Sequence, residues 1–459
     1  MPVIRPRAAL LAVALSAALP ALALSPLPAV AEYENKPVEI AYQEFTLPNG
    51  LRVIVHTDRK APIVAVNLWY HVGSKNEQLG RTGFAHLFEH LMFQGSENHR
   101  DEYFAPFELV GVTDQNGTTN QDRTNYFQNV PTTALDMALW MESDRMGHLL
   151  GAIDQKSLDE QRGVVQNEKR QGENQPYGRR INARMFEALY PAGHPYSWQT
   201  IGSMADLDAA TLDDVKTWFK SWYGPNNAVL VLAGDIDLKT AREKVTRYFG
   251  DIPASATLAD MPTNIPKRAK DTRETVPDRV PQYRVYRAWP VAELGSEDAI
   301  LLDLFAQVLG GSAASRFDIR LVHGDKIADN ASAYNWSSEI SGTFFLTATV
   351  KDGVDAVKVE KALDEELQRL IAEGPTAEEL ERAKVGARAD FVRGIERIGG
   401  FGGKSDVLAQ CAVYAGTPDC YKEDLATIDA ATPASVQAAA RKWLGTGSHT
   451  LLVEPSETP

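Results

Sequence analysis

The sequence predicts a protein of two domains, each built from both β-strands and α-helices. Three observations support this: the length, a proline-rich segment near the middle, and a similar order of elements in the two halves. A chain of 459 residues is too long for one ordinary hydrophobic core. Its 44% hydrophobic and 24% charged residues are typical of a soluble globular protein.

The first domain is predicted to span residues 32–253, and it opens with strands. Residues 51–55 and 63–70 are rich in β-branched and aromatic side chains, which favour strands. Residues 228–234 predict a buried strand. Apolar residues at helical spacing predict helices over 84–93, 135–150, 157–170 and 238–249.

A linker is predicted over residues 254–281, where prolines punctuate a charged, weakly periodic segment. The second domain, residues 282–459, then repeats the order of elements, which makes an internal duplication plausible. Its predicted strands are 283–289, 331–334, 342–350 and 450–453, and its predicted helices are 296–309, 354–372 and 376–393.

Residues 1–31 carry the pattern of a secretory signal peptide. Arg5 and Arg7 precede an apolar run over residues 8–24, and residues 29–31, Ala-Val-Ala, form a small-x-small cleavage site. A membrane anchor is the alternative, because the apolar run approaches the length of a short span. The well-formed cleavage site favours a periplasmic or secreted protein without stable membrane insertion.

Charge and cysteine content narrow the classes of partner and compartment. The formal net charge of −14 disfavours binding to a phosphate backbone, so nucleic acid is not expected as a partner.

Cys411 and Cys420 lie in one short segment of the C-terminal half. An oxidising compartment favours a disulfide between them, and two unlinked thiols are the alternative.

The strongest chemical signal is the string His86-Leu87-Phe88-Glu89-His90. On a helix, residues three and four apart share a face, so both imidazoles and the carboxylate can line one pocket. Two imidazoles suit Zn²⁺, and a neighbouring carboxylate can take a proton from a metal-activated water. Two surface histidines on an ordinary helix are the alternative, but the apolar flanks predict a buried helix, where imidazoles need partners.

A third metal ligand must come from another element. Glu168, which follows an apolar valine pair in a predicted helix, is the best candidate. Spacing alone leaves Glu160 and Glu173 as competitors, since most helical glutamates are solvated.

The motif and its surroundings resemble the insulinase/pitrilysin family of metallopeptidases, specifically its shorter bacterial and mitochondrial-processing-peptidase-like branch. The matching segments cover most of the N-terminal half and comprise residues 83–96, 116–126, 161–168 and 194–196. The resemblance implies that His86, His90 and Glu168 bind Zn²⁺ and that Glu89 is the catalytic base. It also implies two related α+β domains, each a mainly antiparallel sheet packed with helices, that form a clamshell around a chamber.

The resemblance further implies that Asn116, Gly117 and Thr118 lie beside the substrate. An extended peptide would then add to an exposed strand edge. Without the resemblance, Asn116-Gly117 is better explained as a hairpin turn.

The sequence departs from the family pattern at three positions. Val322 and Asp329 stand where self-sufficient members carry a substrate-binding Arg and Tyr, although Arg316 or Arg320 could substitute. Since some members divide zinc and the Arg/Tyr pair between two subunits, this chain is a candidate zinc-bearing half of a heterodimer. Gln161 stands where family members often carry a glutamate, seven residues before the zinc-binding one. Glu160 is adjacent and could compensate.

Residues 399–405, Gly-Gly-Phe-Gly-Gly-Lys-Ser, weakly resemble a phosphate-binding loop. The first required glycine would be Ile398, and no strand clearly precedes it. A flexible glycine-rich loop that shapes the chamber is the better interpretation.

The predicted function is therefore that of a zinc-dependent endopeptidase acting on peptides or unfolded segments. A non-catalytic scaffold or binding subunit on the same fold is the alternative. That alternative predicts erosion of the motif, yet all four chemical groups are present.

Overall fold

The computed structural model describes residues 38–256 and 261–456. The predicted signal peptide, residues 1–31, lies outside these residues. The strands of the described residues are β1 (Gln43–Thr46), β2 (Arg52–Thr57), β3 (Ile63–Tyr70), β4 (Thr113–Thr119), β5 (Thr124–Pro131), β6 (Ala228–Gly234), β7 (Thr272–Asp278), β8 (Arg284–Val291), β9 (Ala328–Trp336), β10 (Gly342–Val350) and β11 (His449–Pro455).

The α-helices of the described residues are α1 (Phe84–Leu91), α2 (Ala105–Leu109), α3 (Leu135–Gly147), α4 (Gln155–Asn174), α5 (Arg179–Leu189), α6 (Met204–Ala209), α7 (Leu212–Trp222), α8 (Leu238–Phe249), α9 (Glu297–Gly310), α10 (Ala356–Glu373), α11 (Ala377–Gly394), α12 (Lys404–Tyr414), α13 (Tyr421–Ala430) and α14 (Pro433–Trp443). Short 3₁₀ helices cover Ser74–Asn76, Thr132–Ala134 and Pro225–Asn227, and a π-helix covers Asp318–Gly324. No helix in the described part of the chain has the length and apolarity needed to cross a bilayer.

The strands form two sheets of related design. The N-terminal sheet has the order β1-β2-β6-β3-β5-β4, and the C-terminal sheet has the order β7-β11-β8-β10-β9. Each sheet contains one parallel pair, β2 with β6 and β7 with β11, and its other pairs are antiparallel. The expected fold class, two related α+β domains with mainly antiparallel sheets, is confirmed.

The segment predicted as a linker contains a strand. β7 lies within residues 254–281 and pairs in parallel with the last strand, β11. Because β7 is at the edge of its sheet, Pro277 can occupy it without costing an interior ladder hydrogen bond. The proline and charge content that indicated a linker is therefore compatible with an edge strand.

One face of each sheet carries helices of its own half. On the N-terminal sheet, α3 packs against β3 and β5, and α8 packs near β1. On the C-terminal sheet, α9 packs mainly on the edge strand β9, whereas α10 packs on β8 and β10 and α14 packs on β8. Large buried side chains such as Phe88 and Leu139 in the first core, and Phe305 and Phe344 in the second, fill these layers.

The opposite face of each sheet is covered by a helix from the other half. α5 buries Ile181 and Met185 against Leu451 and Val453 of the C-terminal sheet. α12 packs on β3 and β6 of the N-terminal sheet. Because each half completes the core of the other, the described residues from Glu39 onwards form one compact unit.

A buried ionic cluster also joins the halves. Lys75 of the N-terminal half, whose side chain is 2% exposed, forms ion pairs with Asp122 and with Glu339 of the C-terminal half. His71 Nε2 lies 2.8 Å from a Glu339 oxygen, and Tyr196 Oη donates to Asp122. Removing one partner from such a cluster leaves an uncompensated buried charge, so the contact favours one arrangement of the halves.

The predicted disulfide is confirmed. Cys411 at the end of α12 is bonded to Cys420, the residue that precedes α13. The bond ties the helix that covers the N-terminal sheet to the helix layer of the C-terminal half.

Candidate active site

The helix α1 carries the motif, and its sequence determines which face is buried. Leu87, Phe88 and Leu91 pack into the core, while His86 and His90 are partly exposed on another side. The helix begins after Gly83, which has φ +92°. An L-residue with a side chain would be strained there, so a glycine is required at the turn that aims this helix.

The three predicted metal ligands converge. The ligand atoms of His86, His90 and Glu168 lie within 4.8 Å of one another. His86 Nε2 is 3.6 Å from Glu168 Oε2, and His90 Nε2 is 3.6 Å from Glu168 Oε1. Ligands about 2.1 Å from a tetrahedral Zn²⁺ lie roughly 3.4 Å apart, so one ion fits between these atoms. Of the three competing glutamates, Glu168 is the one in this cluster.

The protonation of both imidazoles also suits a metal. Burial lowers the pKa of His86 to about 3, and it lowers the pKa of His90 as well, against the attraction of Glu168. Both rings are therefore neutral at physiological pH, which is the form that binds metal. Glu168 reaches them because its helix, α4, packs directly on α1.

Glu89 lies beside this cluster and is 8% exposed. Burial raises its pKa to about 7, whereas a hydrogen bond from Thr119 and the charge of Arg123 act to lower it. A carboxyl group with a pKa near neutrality can both accept and release a proton, which is the requirement for a general base that later acts as an acid.

Gln161, the departure noted in α4, contacts the metal cluster. It lies two turns before Glu168, is buried, and forms a side-chain hydrogen bond with His90 that raises the pKa of that ring. An amide oxygen can accept from an imidazole N–H, so Gln161 can hold the ring orientation without the charge of a glutamate. Glu160 is exposed and pairs with Lys156, so it does not take over this role.

Glu77 is a site residue that the sequence reasoning missed. Its carboxyl oxygens accept hydrogen bonds from the backbone N–H groups of Gly83 at 3.0 Å and Ala85 at 2.8 Å, and from Trp198 Nε1 at 3.1 Å. Burial raises the pKa of this group to about 8, although these three hydrogen bonds act to lower it. It thus caps the first turn of α1 from a distance in sequence that no local capping pattern covers. The sequence carries no signal for this role, because the burial of Glu77 and its contact with Trp198 arise only in the folded chain.

Glu77→Gln should loosen the start of α1. The amide must turn its NH₂ group toward at least one of the three N–H donors, so one buried hydrogen bond is lost at a cost of about 1–3 kcal/mol. We expect a lower unfolding midpoint in urea and weaker zinc binding, measured by competition with a chelator. Glu44→Gln, which removes an exposed pair with Arg52, should change neither, and equal effects of the two variants would refute this role of Glu77.

The segment Asn116–Thr118 lies in an edge strand and not in a hairpin turn. Asn116 pairs with Phe127, and Gly117 pairs with Tyr126, within the β4–β5 ladder. A Cβ on Gly117 would lie 2.6 Å from the ring of Phe93, so packing demands glycine here. β4 is one of the two edge strands of its sheet, so a peptide could join its outer side.

Side chains hydrogen-bond to two backbone groups of β4. Asn116 Oδ1 accepts from Gly117 N at 2.8 Å, and Arg123 Nη1 donates to Thr118 O at 2.9 Å. Gly117 and Thr118 are adjacent residues of an antiparallel strand, so these two groups point to opposite sides of β4 and one of the bonds lies on the outer edge. A peptide backbone that offered the same hydrogen-bonding group could replace the bond on that edge.

The two arginines that could substitute for the Arg/Tyr pair are already paired with carboxylates of the C-terminal half. Arg316 forms two hydrogen bonds with Glu379. Arg320 pairs with three carboxylates, and Asp329 accepts from a glutamine side chain at 2.6 Å. Val322 lies in the π-helix. In this arrangement neither arginine is available to a peptide.

Comparison with known proteins adds the family. Residues 52–194 match the sequence model of "Insulinase (Peptidase family M16)", and residues 209–386 match that of "Peptidase M16 inactive domain". The chain belongs to the insulinase family, peptidase family M16. The predicted family is thereby confirmed, and the second description agrees with a C-terminal half that lacks a metal motif.

Several relatives of this family member have been named. This chain is 29% identical over 380 residues to "Zinc protease PqqE" of Helicobacter pylori, and the match covers 81% of this chain and 83% of the relative. It is 23% identical over 215 residues to mitochondrial-processing peptidase subunit beta of Lentinula edodes, covering 46% of this chain and 44% of the relative. The relatives named zinc proteases imply Zn²⁺ as the metal of the family.

Solved structures support the two-domain clamshell of the M16 fold. A protease from Helicobacter pylori is similar with a TM-score of 0.83 and 25% identity, covering 91% of this chain and all of that chain. The periplasmic protease PqqL from Escherichia coli is similar with a TM-score of 0.73 and 21% identity, covering 92% of this chain and 48% of that chain.

Proposed function

We propose that this protein is a zinc-dependent endopeptidase that cleaves peptides or unfolded segments. The observation that carries the proposal is the convergence of His86, His90 and Glu168 from two helices, with Glu89 beside them. The donor set of two neutral imidazoles and one carboxylate suits Zn²⁺ and leaves a fourth position for water or substrate. The names of the relatives agree with this chemistry.

The proposed chemistry divides the work among the chain's own residues. When bound, Zn²⁺ would supply Lewis-acid activation of a water at neutral pH. Glu89 accepts a proton from the attacking water as the water oxygen bonds to the carbonyl carbon of the peptide bond. It then delivers the proton to the amide nitrogen as the C–N bond breaks. Asn116, Gly117 and Thr118 hold the peptide as an added strand along the edge of β4.

We further propose that the protein works in the periplasm or outside the cell. The predicted signal peptide and the Cys411–Cys420 disulfide support an oxidising compartment. The PqqL relative is called periplasmic.

There are two alternatives to self-sufficient catalysis. Arg316 and Arg320 are already paired with carboxylates of this chain. This favours a related partner subunit that supplies the substrate-binding Arg/Tyr pair. In a heterodimer of this kind, the present chain is the zinc-bearing subunit. A non-catalytic scaffold is the second alternative, and it leaves the convergence of all four site groups without a purpose.

The purified chain, residues 32–459, should cleave a mixed peptide library when it is loaded with zinc. Mass spectrometry of the products is the measurement. A chelator should stop the cleavage, and added Zn²⁺ should restore it, because the three ligands would hold the metal that activates the water. Intact peptides in the presence of stoichiometric zinc would contradict self-sufficient catalysis and favour the heterodimer.

A further inference from the structure

The glycine-rich segment at residues 399–403 is braced, although the sequence suggested a flexible loop. Gly403 N donates to Gly400 O at 3.2 Å, and Lys404 N donates to Arg397 O at 2.9 Å. Arg397 Nη2 also donates to Phe401 O at 2.5 Å. These bonds close the segment into a compact turn directly before α12.

This turn belongs to the C-terminal half but sits on the N-terminal sheet. Gly399 is so close to β5 that a Cβ would lie 2.0 Å from Asn129 Oδ1. Lys404 Nζ forms a 3.1 Å ion pair with Asp58 Oδ2, and both side chains are largely buried. Burial acts to raise the pKa of Asp58, yet the hydrogen bonds from Lys404 and its neighbours bring it down to about 2, so the pair stays charged at neutral pH. The turn is therefore fixed on the sheet face that faces away from α1.

Phe401 is the one apolar side chain of this turn, and it is 49% exposed. Gly400 and Gly402 flank it with φ +73° and +68°, values that favour glycine and that bend the chain on both sides of the ring. Its ring packs edge-on against Phe127, with the ring centroids 4.9 Å apart. Phe127 is the register partner of Asn116 on the edge strand β4.

A single exposed phenylalanine is unremarkable on a protein surface. Its position is the informative feature here. Strands lie about 4.8 Å apart, so a peptide added outside β4 would run about 10 Å from β5. Its side chains would alternate between the face of α1 and the face of Asn116 and Phe127. A large side chain on the second face would lie on the side of the sheet that carries Phe401.

We propose that Phe401 forms an apolar subsite that binds one aromatic or large aliphatic side chain of the substrate. The proposal rests on the proposed function, because it takes β4 as the strand that the peptide joins. It names the substrate class more closely: peptides with a large apolar residue at one fixed distance from the cleaved bond. It also gives the C-terminal half, which has no metal motif, a role in choosing the substrate.

The test uses a series of alanine- and serine-based decapeptides in which a single Phe occupies each position in turn. The wild type should favour one Phe position, by about tenfold in kcat/KM. Phe401→Ala should abolish this preference through a higher KM, and Phe401→Leu should retain most of it. Trp140→Ala removes a comparably exposed ring from α3 and should leave the preference unchanged.

A binding experiment separates this proposal from the proposed catalysis. The same peptides, labelled with fluorescein, are titrated by fluorescence anisotropy against zinc-loaded Glu89→Gln and against Glu89→Gln combined with Phe401→Ala. The first variant should bind the favoured peptide about tenfold more tightly than the second. Equal affinities would overturn the subsite. Absence of cleavage by the wild type together with unequal affinities would overturn the proposed catalysis alone.

Discussion

Glu89→Gln should reduce peptide cleavage by a factor of about 10²–10⁴ while zinc binding is retained. Glutamine has nearly the same shape as glutamate, but its amide cannot accept a proton from the attacking water. The metal cluster of His86, His90 and Glu168 does not include this residue, so the zinc content should stay near one ion per chain. Initial rates on a fluorogenic peptide, with zinc measured by mass spectrometry of the metal, give both quantities.

Glu160→Gln is the matched control. Glu160 lies on α4, close in sequence to Glu168, but its side chain is exposed and pairs with Lys156. Its loss should change the rate by less than twofold, because exposed ion pairs contribute little. Cleavage by Glu89→Gln at more than one-tenth of the wild-type rate would rule out Glu89 as the general base.

The part of the site that is local in sequence could be predicted from spacing. His86, Glu89 and His90 share one helical face, and the 3.6-residue period determines this without knowledge of the rest of the chain. Glu168 could not be chosen over Glu160 and Glu173 by spacing, because its selection depends on how α4 packs on α1. The family resemblance supplied that information. Its assignment as a zinc ligand stays a prediction.

The residues that the sequence did not reveal act through tertiary contacts. Glu77 caps a helix from outside the local capping pattern, and nothing in its neighbours shows that Trp198 will meet it. Asn116-Gly117 has the composition of a turn, yet packing against Phe93 holds it in a strand. In both cases long-range packing overrides the local preference.

The sequence also did not show that α5 and α12 each cover the sheet of the other half. Each helix has an ordinary apolar face, and sequence periodicity does not say which sheet that face will cover. The exchange has a consequence for function: the turn before α12 brings Phe401 onto the sheet that also carries β4. The metal ligands come from one half, but the proposed substrate cleft is built by both.

His90→Ala should remove the zinc site. Two ligands would remain, and the side chain of one of them, Glu168, is 39% exposed. Loss of even an outer partner of a metal ligand costs about 10–100-fold in affinity, so loss of the ligand itself should cost more than about 100-fold. Competition with a chelator of known affinity measures this directly, and cleavage should fall to background.

Stability gives an independent measure of the same loss. A metal that binds only the folded chain stabilises it by about 2.7 kcal/mol at a free concentration 100 times its Kd. Zinc should therefore raise the unfolding midpoint of the wild type and leave that of His90→Ala unchanged. His323→Ala, which removes an exposed histidine of the C-terminal half, should respond to zinc like the wild type. If His90→Ala kept the wild-type response, the metal would have to bind elsewhere, and the proposed role of Glu89 would lose its basis because no activated water would lie beside it.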